Sequence, residues 1–338
     1  MNRTSRVTRS TLAAAAVLLP IGLLSACGGG DSSGSGGVEL TLAHSYTEDQ
    51  PQHACGAEVI KEEVEAADAG MTVEIYPSSQ LGADADRIAS VQSGDIDLDI
   101  QGASALAAAY EPIGVIDAAY AFESTEHLAA FFDGEASDTV KADFKDASGV
   151  SVLGAWSAGA RQFTASEPIR EPADLDGLRM RFPGSPQFLL NAEALGAQPT
   201  EVAYEELYLA LQQGVVDGQE NPITNISATN IAEVQDYLSL SSHAQNSNLI
   251  IAGPVYDELD ADQQQVLDDA VATAVDGLPA CVEEEETAQL EEWASSGEIE
   301  IVDDVDVEAF SAQTDAWFTD NLEGESLAVY EAIKSSAP

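Results

Sequence analysis

The amino-acid sequence predicts an α/β protein of two domains, on three observations. Behind an N-terminal leader about three hundred residues remain, more than one compact core suits. Their hydrophobic pattern switches between period two and helical spacing in the order strand, helix, strand, helix, strand, which builds parallel βαβ units. A long, mostly unbroken helical pattern then runs from Asp260, a plausible N-cap, to about Ser295, with a bend expected at Gly277-Leu-Pro279.

Taken in order, Val38-Glu-Leu-Thr-Leu-Ala43 alternates strictly and reads as a strand, positions 51–67 as a helix, and Met71-Thr-Val-Glu-Ile-Tyr76 as a second strand. Pro77 to Gly82 is a turn, Ala83 to Gln92 a helix closed by Gly94, and Ile96-Asp-Leu-Asp-Ile100 a third strand. In parallel sheets ligands lie outside the carboxyl ends of the strands. That places His44 and Tyr46, and Gln101 to Ser104, beside a cleft. Ser151 to Trp156 is a further strand, and Asp174 to Gly177 turns into the strand Leu178-Arg-Met-Arg-Phe182, where period two puts Arg179 and Arg181 on one face. Ser185–Leu195 and Glu201–Gln213 read as helices capped by Gly196 and Gly214, and Val215-Val-Asp217 as a short buried strand delivering Gln219, Glu220 and Asn221 to its end. The tail from Val305 to Ile333 is again helical, and His53 and His127 read as helix-surface residues.

The first residues carry a processing pattern. Arg3, Arg6 and Arg9 precede an apolar stretch from Leu12 to Leu24, and Leu24-Ser-Ala-Cys27 places small residues before a cysteine. This is similar to the lipobox of bacterial lipoproteins, which predicts a signal peptide over 1–26, lipidation at Cys27 and an extracytoplasmic protein anchored to the cell membrane by its lipid alone. The apolar run is too short and broken for a span of about twenty residues. Residues 27–37, with six glycines and three serines from Gly28 to Gly37, form a flexible tether. Cys55 and Cys281 remain; outside the cytoplasm they can form a disulfide, and two separate buried thiols fit the sequence as well.

Twelve basic residues face sixty acidic ones, for a formal charge of −48 that becomes −51 once the three leader arginines are gone. Such acidity excludes nucleic acid and anionic lipid surfaces as partners. Of the nine remaining basic residues, Arg161, Arg170, Arg179 and Arg181 fall within one short stretch. A guanidinium donates paired hydrogen bonds to a carboxylate and stays protonated at working pH. The average field repels anions, so a local arginine cluster implies capture of a small organic anion. The competing reading, in which the arginines neutralise nearby acids, fits Arg170 best, among Glu167, Glu171, Asp174 and Asp176. Asn221 is held extended by Pro222 and can present its amide to a ligand. Trp156 and Phe163 can pack on a ligand or wall the core.

Five segments then occur in order: Tyr76-Pro-Ser-Ser-Gln-Leu-Gly82, Gly94-Asp-Ile-Asp97, Leu178-Arg-Met-Arg-Phe-Pro183, Leu195-Gly-Ala-Gln-Pro-Thr200 and Glu206-Leu-Tyr-Leu-Ala-Leu-Gln-Gln-Gly-Val-Val-Asp-Gly-Gln-Glu-Asn-Pro222. Together they resemble the solute receptors of tripartite ATP-independent periplasmic (TRAP) transporters, over essentially the whole chain from Val38. The resemblance implies a two-domain periplasmic-binding-protein-like α/β fold with mixed sheets, an interdomain ligand cleft and a long helix spanning the hinge. The expected domains are 38–158 with 247–287, and 159–246 with 288–338. It further implies that Arg181 binds the ligand carboxylate bidentately, that Arg161 in Gly159-Ala-Arg161 is a second arginine of the site, that Asn221 reaches the ligand, and that His243 joins the surrounding polar network. The sialic-acid members carry a glutamate where this chain has Gly102, which points to another organic acid.

The function expected is therefore an extracytoplasmic receptor that binds a small carboxylate and hands it to the membrane subunits of a TRAP transporter, without enzymatic activity or a cofactor. A receptor serving a membrane sensor fits the same fold. A lipid-anchored hydrolase with two carboxylates is disfavoured, because the sequence has no nucleophile elbow, no metal-ligand spacing among its four histidines and no His-Glu-x-x-His helix.

Overall fold

The computed structural model describes residues 37–338. The leader, Cys27 and most of the tether lie outside them. Nine strands form one mixed sheet: β1 (Val38–His44), β2 (Met71–Tyr76), β3 (Leu98–Gln101), β4 (Ser151–Ala165), β5 (Arg179–Phe182), β6 (Gln198–Glu201), β7 (Gly218–Pro222), β8 (Tyr237–Ala252) and β9 (Glu300–Val302). The order is β2-β1-β3-β8-β4-β7-β5-β6, with β9 on the flank of β8. β1 pairs parallel with β2 and β3, as the βαβ pattern predicts. β5 pairs parallel with β6 and β7 in the second half.

The halves share one sheet because β4 and β8, of 15 and 16 residues, run antiparallel through both. Beside β3 their pairing is Ser151 to Ser157 with Ser247 to Ala252, and beside β7 it is Ala160 to Ala165 with Tyr237 to Gln245. Between these stretches the register shifts, from Ser157 to Ala160. Gly159 sits in that shift with φ +93°, where a β-carbon would collide with the Glu286 carboxylate. Only glycine fits there. The strand expected to stop at Trp156 thus continues to Ala165.

The helix Ala261–Ser296 opens on a capping box of Asp260 and Gln263. It stays helical through Pro279, with Leu267, Val271, Ala274, Leu278 and Val282 buried along it. Helix interiors normally pay for a proline; the apolar seam against β4 holds this one. Gly154 makes the approach close, since a β-carbon there would lie 2.8 Å from Val271 Cγ1. A disulfide joins Cys55 to Cys281, Cα–Cα 6.6 Å, fastening the turn before helix Glu58–Ala66 to the long helix. Among the described residues no helix is long and apolar enough to cross a membrane.

Several local expectations are corrected. Residues 201–213 do not form one helix: Gln198–Glu201 adds strand β6, and the α-helix covers only Leu207–Gln212. Parallel pairing to β5 draws Glu201 into β6 against helical propensity there. The strand expected at Val215–Asp217 lies one step later, at Gly218–Pro222, and contains Gln219, Glu220 and Asn221 rather than ending before them. The tail is two helices, Val307–Asn321 and Gly324–Ser335, parted where Gly324 takes φ +58°. Arg179 and Arg181 part company as well: Arg179, at the open start of β5, is exposed and paired with Asp217, while Arg181 is buried. The Arg170 guanidinium pairs with Asp304, and only its backbone N–H reaches a sequence neighbour, Asp174, at 2.7 Å. His53 and His127 are buried, not surface residues. The last helix covers His127, whose Nε2 lies 2.8 Å from the Ile333 carbonyl, and His53 stacks edge-on against His44.

The disulfide closes a loop of 226 residues. Replacing both cysteines by serine is expected to lower the unfolding free energy by about 2–4 kcal/mol. A lower urea midpoint would register this, and the reduced wild type should match it.

Candidate functional site

A cavity of about 650 Å³ lies between the two halves of the sheet. The β1–β3 side supplies Tyr46, Gln101 and Ser104; β4, β5, β7 and β8 supply Arg161, Arg181, Asn221, Asn246 and Asn248. Six of the ten expected ligand contacts therefore meet there: Arg161, Arg181, Asn221, Tyr46, Gln101 and Ser104. Cross-cavity bonds tie the sides together, with Gln50 Nε2 donating to Asn225 Oδ1 at 3.0 Å and Ser79 Oγ to Glu205 at 3.2 Å.

The two arginines differ sharply. Arg161 is saturated by the protein. Its Nε and Nη2 hold the Glu220 carboxylate, Nη2 also reaches Asn221 Oδ1 at 3.1 Å, and Nη1 donates to Asn246 Oδ1. Burial works against its charge, but Glu220 holds the guanidinium protonated. Its plane lies over the Phe188 ring, 4.7 Å from the centroid.

Arg181 makes one bond, from Nε to the Val202 carbonyl at 2.9 Å. Among the described residues no carboxylate lies within ion-pair distance of it, and it is only 2 % exposed. Burial pulls its pKa down to about 10, still well above working pH. Both terminal nitrogens are thus free to donate into the cavity. A buried cation without a counter-ion is costly, so this arrangement calls for an anion.

Around these lie groups the sequence did not single out. The Tyr204 hydroxyl is buried without a partner, and so is Ser185 Oγ; both residues line the cavity. Asn225 and Asn246 spend their amide oxygens on Gln50 and Arg161, which turns their NH₂ groups outward as free donors. Asp117, 3 % exposed, accepts from Ser104 N at 2.7 Å and from Ser247 Oγ. Charge-bearing side chains in a cavity were the findable signal for Asp117, but sixty acidic residues hid it.

Four expected contacts stand behind the wall instead. Phe163 stacks on His243 with centroids 4.1 Å apart, and His243 Nε2 faces Glu220 at 3.3 Å while Nδ1 meets Ser241 Oγ at 2.8 Å. Burial lowers the His243 pKa, its contact with Glu220 offsetting this only in part. The neutral ring thus donates to Glu220 and braces the Arg161 pair. Trp156 donates to Asn248 Oδ1 at 3.3 Å, and Asn248 in turn reaches the Tyr46 hydroxyl at 2.6 Å. His44 Nδ1 accepts from Tyr46 N at 3.2 Å, so its Nε2 carries the proton shared with His53 at 3.1 Å. Burial drives the His44 pKa down to about 3, with help from His53 and Arg87. Period two turns His243 of β8 away from the face of Asn246 and Asn248, a register shift in β4 parts Phe163 from Arg161, and His44 lies at the end of β1. Arg87, wholly buried, is a structural cation: it holds Asp99 at 3.2 Å and Asp84 at 2.9 Å.

Two α/β halves joined by crossing strands, with an uncompensated guanidinium facing the cavity between them, define a ligand receptor of the bilobal solute-binding class. Residues 42–322 match the bacterial extracellular solute-binding proteins, family 7, and the chain belongs to that family. It is 34% identical over 239 residues to a solute-binding protein of Roseobacter denitrificans, covering 70% of this chain and 73% of that one. A crystal structure of that Roseobacter TRAP protein with bound L-galactonate superposes with a TM-score of 0.79 at 32% identity, over 88% of this chain and 98% of the other. The 2,3-diketo-L-gulonate-binding periplasmic protein of Escherichia coli is 30% identical over 243 residues, 71% of this chain and 74% of its own. A Polaromonas TRAP protein bound to D-erythronate superposes with a TM-score of 0.80 at 28% identity, over 88% and 98% of the two chains. These relatives are binding proteins, and neither the hydrolase nor the sensor reading gains support from them.

Glu220→Gln would leave Arg161 as a second unpaired buried cation. The expected loss is about 3–5 kcal/mol of stability, measured by chemical denaturation without ligand.

Proposed function

We propose that this chain is the extracytoplasmic receptor of a TRAP-type secondary transporter, capturing a small organic acid by its carboxylate and delivering it to the membrane subunits. The observation that carries this reading is the Arg181 guanidinium, buried, fixed at Nε and without a carboxylate partner among the described residues. A ligand carboxylate on its two terminal nitrogens completes the fork geometry that arginine offers. Tyr204 and the amides of Asn225 and Asn246 supply further donors around it. Arg161, with Asn221, acts mainly by positioning and by local potential, because its own donors are nearly spent.

The two domains, 38–158 with 247–287 and 159–246 with 288–338, hinge where β4 changes register at Gly159. Ligand binding favours the closed arrangement by a population shift. The relatives' ligands, L-galactonate, 2,3-diketo-L-gulonate and D-erythronate, are organic acids, which supports the same class here. The chain is held at the membrane through a lipid on Cys27 and the glycine-serine tether.

Micromolar binding corresponds to about −8 kcal/mol, within reach of a few charge-assisted bonds of roughly 1.5–3 kcal/mol each. Arg181→Ala is expected to weaken the bound acid by at least about a hundredfold, with the fold intact because an uncompensated charge is removed. Calorimetry with an acid found by thermal-shift screening reads this; wild-type affinity in the variant would sink the reading. Cys27→Ser is expected to move the protein from the membrane fraction to the soluble one, as fractionation and labelling with a fatty acid would record.

A further inference from the structure

Counting charge and hydrogen-bonding capacity around the cavity narrows the ligand beyond its carboxylate. Of the charged groups lining it, Arg161 is neutralised by Glu220 and Asp84 is held by Arg87. What remains is one free cation among the described residues, Arg181, against the buried Asp117 and the exposed Glu205. Asp117, which lines the same cavity from the turn Glu111–Asp117, has the opposite character to Arg181. Asp117 carries two protein donors, Ser104 N–H and Ser247 Oγ–H, and its carboxylate has acceptor capacity to spare. Burial raises its pKa, and those donors together with the Arg161 charge offset the rise only in part. Gln101, whose neighbour Gly102 would place a β-carbon 3.8 Å from Asp117 Oδ2, gives its NH₂ to Asp99 at 2.9 Å, and Asp99 also accepts from Arg87 Nε, so the Gln101 amide oxygen is left as an acceptor. Arg181 thus offers donors from β5, while Asp117 and Gln101 offer acceptors from the turn Glu111–Asp117 and from β3.

We infer that Asp117 and Gln101 form a hydroxyl-reading subsite, and that the ligand is a hydroxylated monocarboxylate whose far end donates hydrogen bonds, not a dicarboxylate. A second carboxylate placed there would meet Asp117 with no free cation to offset the repulsion, and like charges in a desolvated site discriminate strongly. The inference rests on Arg181 gripping the first carboxylate.

The test is titration calorimetry with pairs of acids that share a carbon skeleton and differ only in the far terminus: galactonate with galactarate, and erythronate with meso-tartrate. For the pair that binds, the wild-type chain should prefer the monocarboxylate by about a hundredfold. Asp117→Asn should cut that ratio by about tenfold or more, chiefly by raising affinity for the dicarboxylate. Arg181→Ala should abolish both. A wild-type chain that binds the dicarboxylate as tightly as its partner overturns this inference and leaves the receptor reading standing. So does binding of some other acid with neither pair bound. An unchanged ratio in a folded Asp117→Asn variant removes the role of Asp117; if that variant fails to fold, the wild-type ratio alone decides. A chain that binds no acid at all, or binds one undiminished in Arg181→Ala, defeats the receptor reading itself.

Discussion

A guanidinium taken out of water without a counter-ion is the constraint around which this molecule is arranged. Arg181 is desolvated enough to lose part of its basicity, yet only the Val202 carbonyl answers it. Everything nearby keeps carboxylates of the protein from relieving it. Glu220, fully buried one residue before Asn221, is committed to Arg161 by two bonds and braced from behind by neutral His243. A protein that is otherwise strongly negative thereby keeps one positive charge available, at a cost in folding stability that an incoming anion repays. Differential stabilisation of this kind is what a ligand needs in order to shift a hinge equilibrium.

The frame that permits this is the antiparallel pair β4 and β8. Both strands cross from one half of the sheet to the other, so side chains on their midsections necessarily lie between the halves. On β8 these include Ser241, His243, Gln245, Asn246, Ser247 and Asn248, all buried. Buried polar groups are tolerable only when paired. Here they pair across the two strands, Ser157 with Gln245 at 2.7 Å and Trp156 with Asn248 at 3.3 Å. The network that holds the receptor's interior together is therefore the same one that aims Asn246 and, through Asn248, Tyr46.

Legibility from sequence followed the strength of the hydrophobic pattern. β1 and β2 alternate cleanly and were readable to within a residue, as was the long helix with its Asp260 cap. β8 was opaque because its buried face is serine, asparagine and glutamine, which carry no hydrophobic period. The stretch 201–213 looked helical because leucine and alanine recur at helical spacing, but the edge of β5 took its first residue, Glu201, into a strand. His127 looked exposed because the helix that covers it arrives two hundred residues later in the chain.

The sequence by itself pointed to arginine, not bulk charge, as the proposed anion-binding group, and to position 181 in particular: chemistry and local motif are properties of the chain. It also determined the parallel βαβ opening, since periodicity is written in neighbouring residues. Which arginine stays free was decided only by the tertiary structure. Arg161 and Arg181 are equivalent as side chains; they became different when strand pairing brought Glu220 against one and only a carbonyl against the other. Asp117 belongs to the same category, one acid among sixty until folding buried it in the wall of the cavity that also holds the single open cation among the described residues. Charge neutralisation depends on distances of a few ångströms between residues far apart in the chain, and no local pattern encodes those.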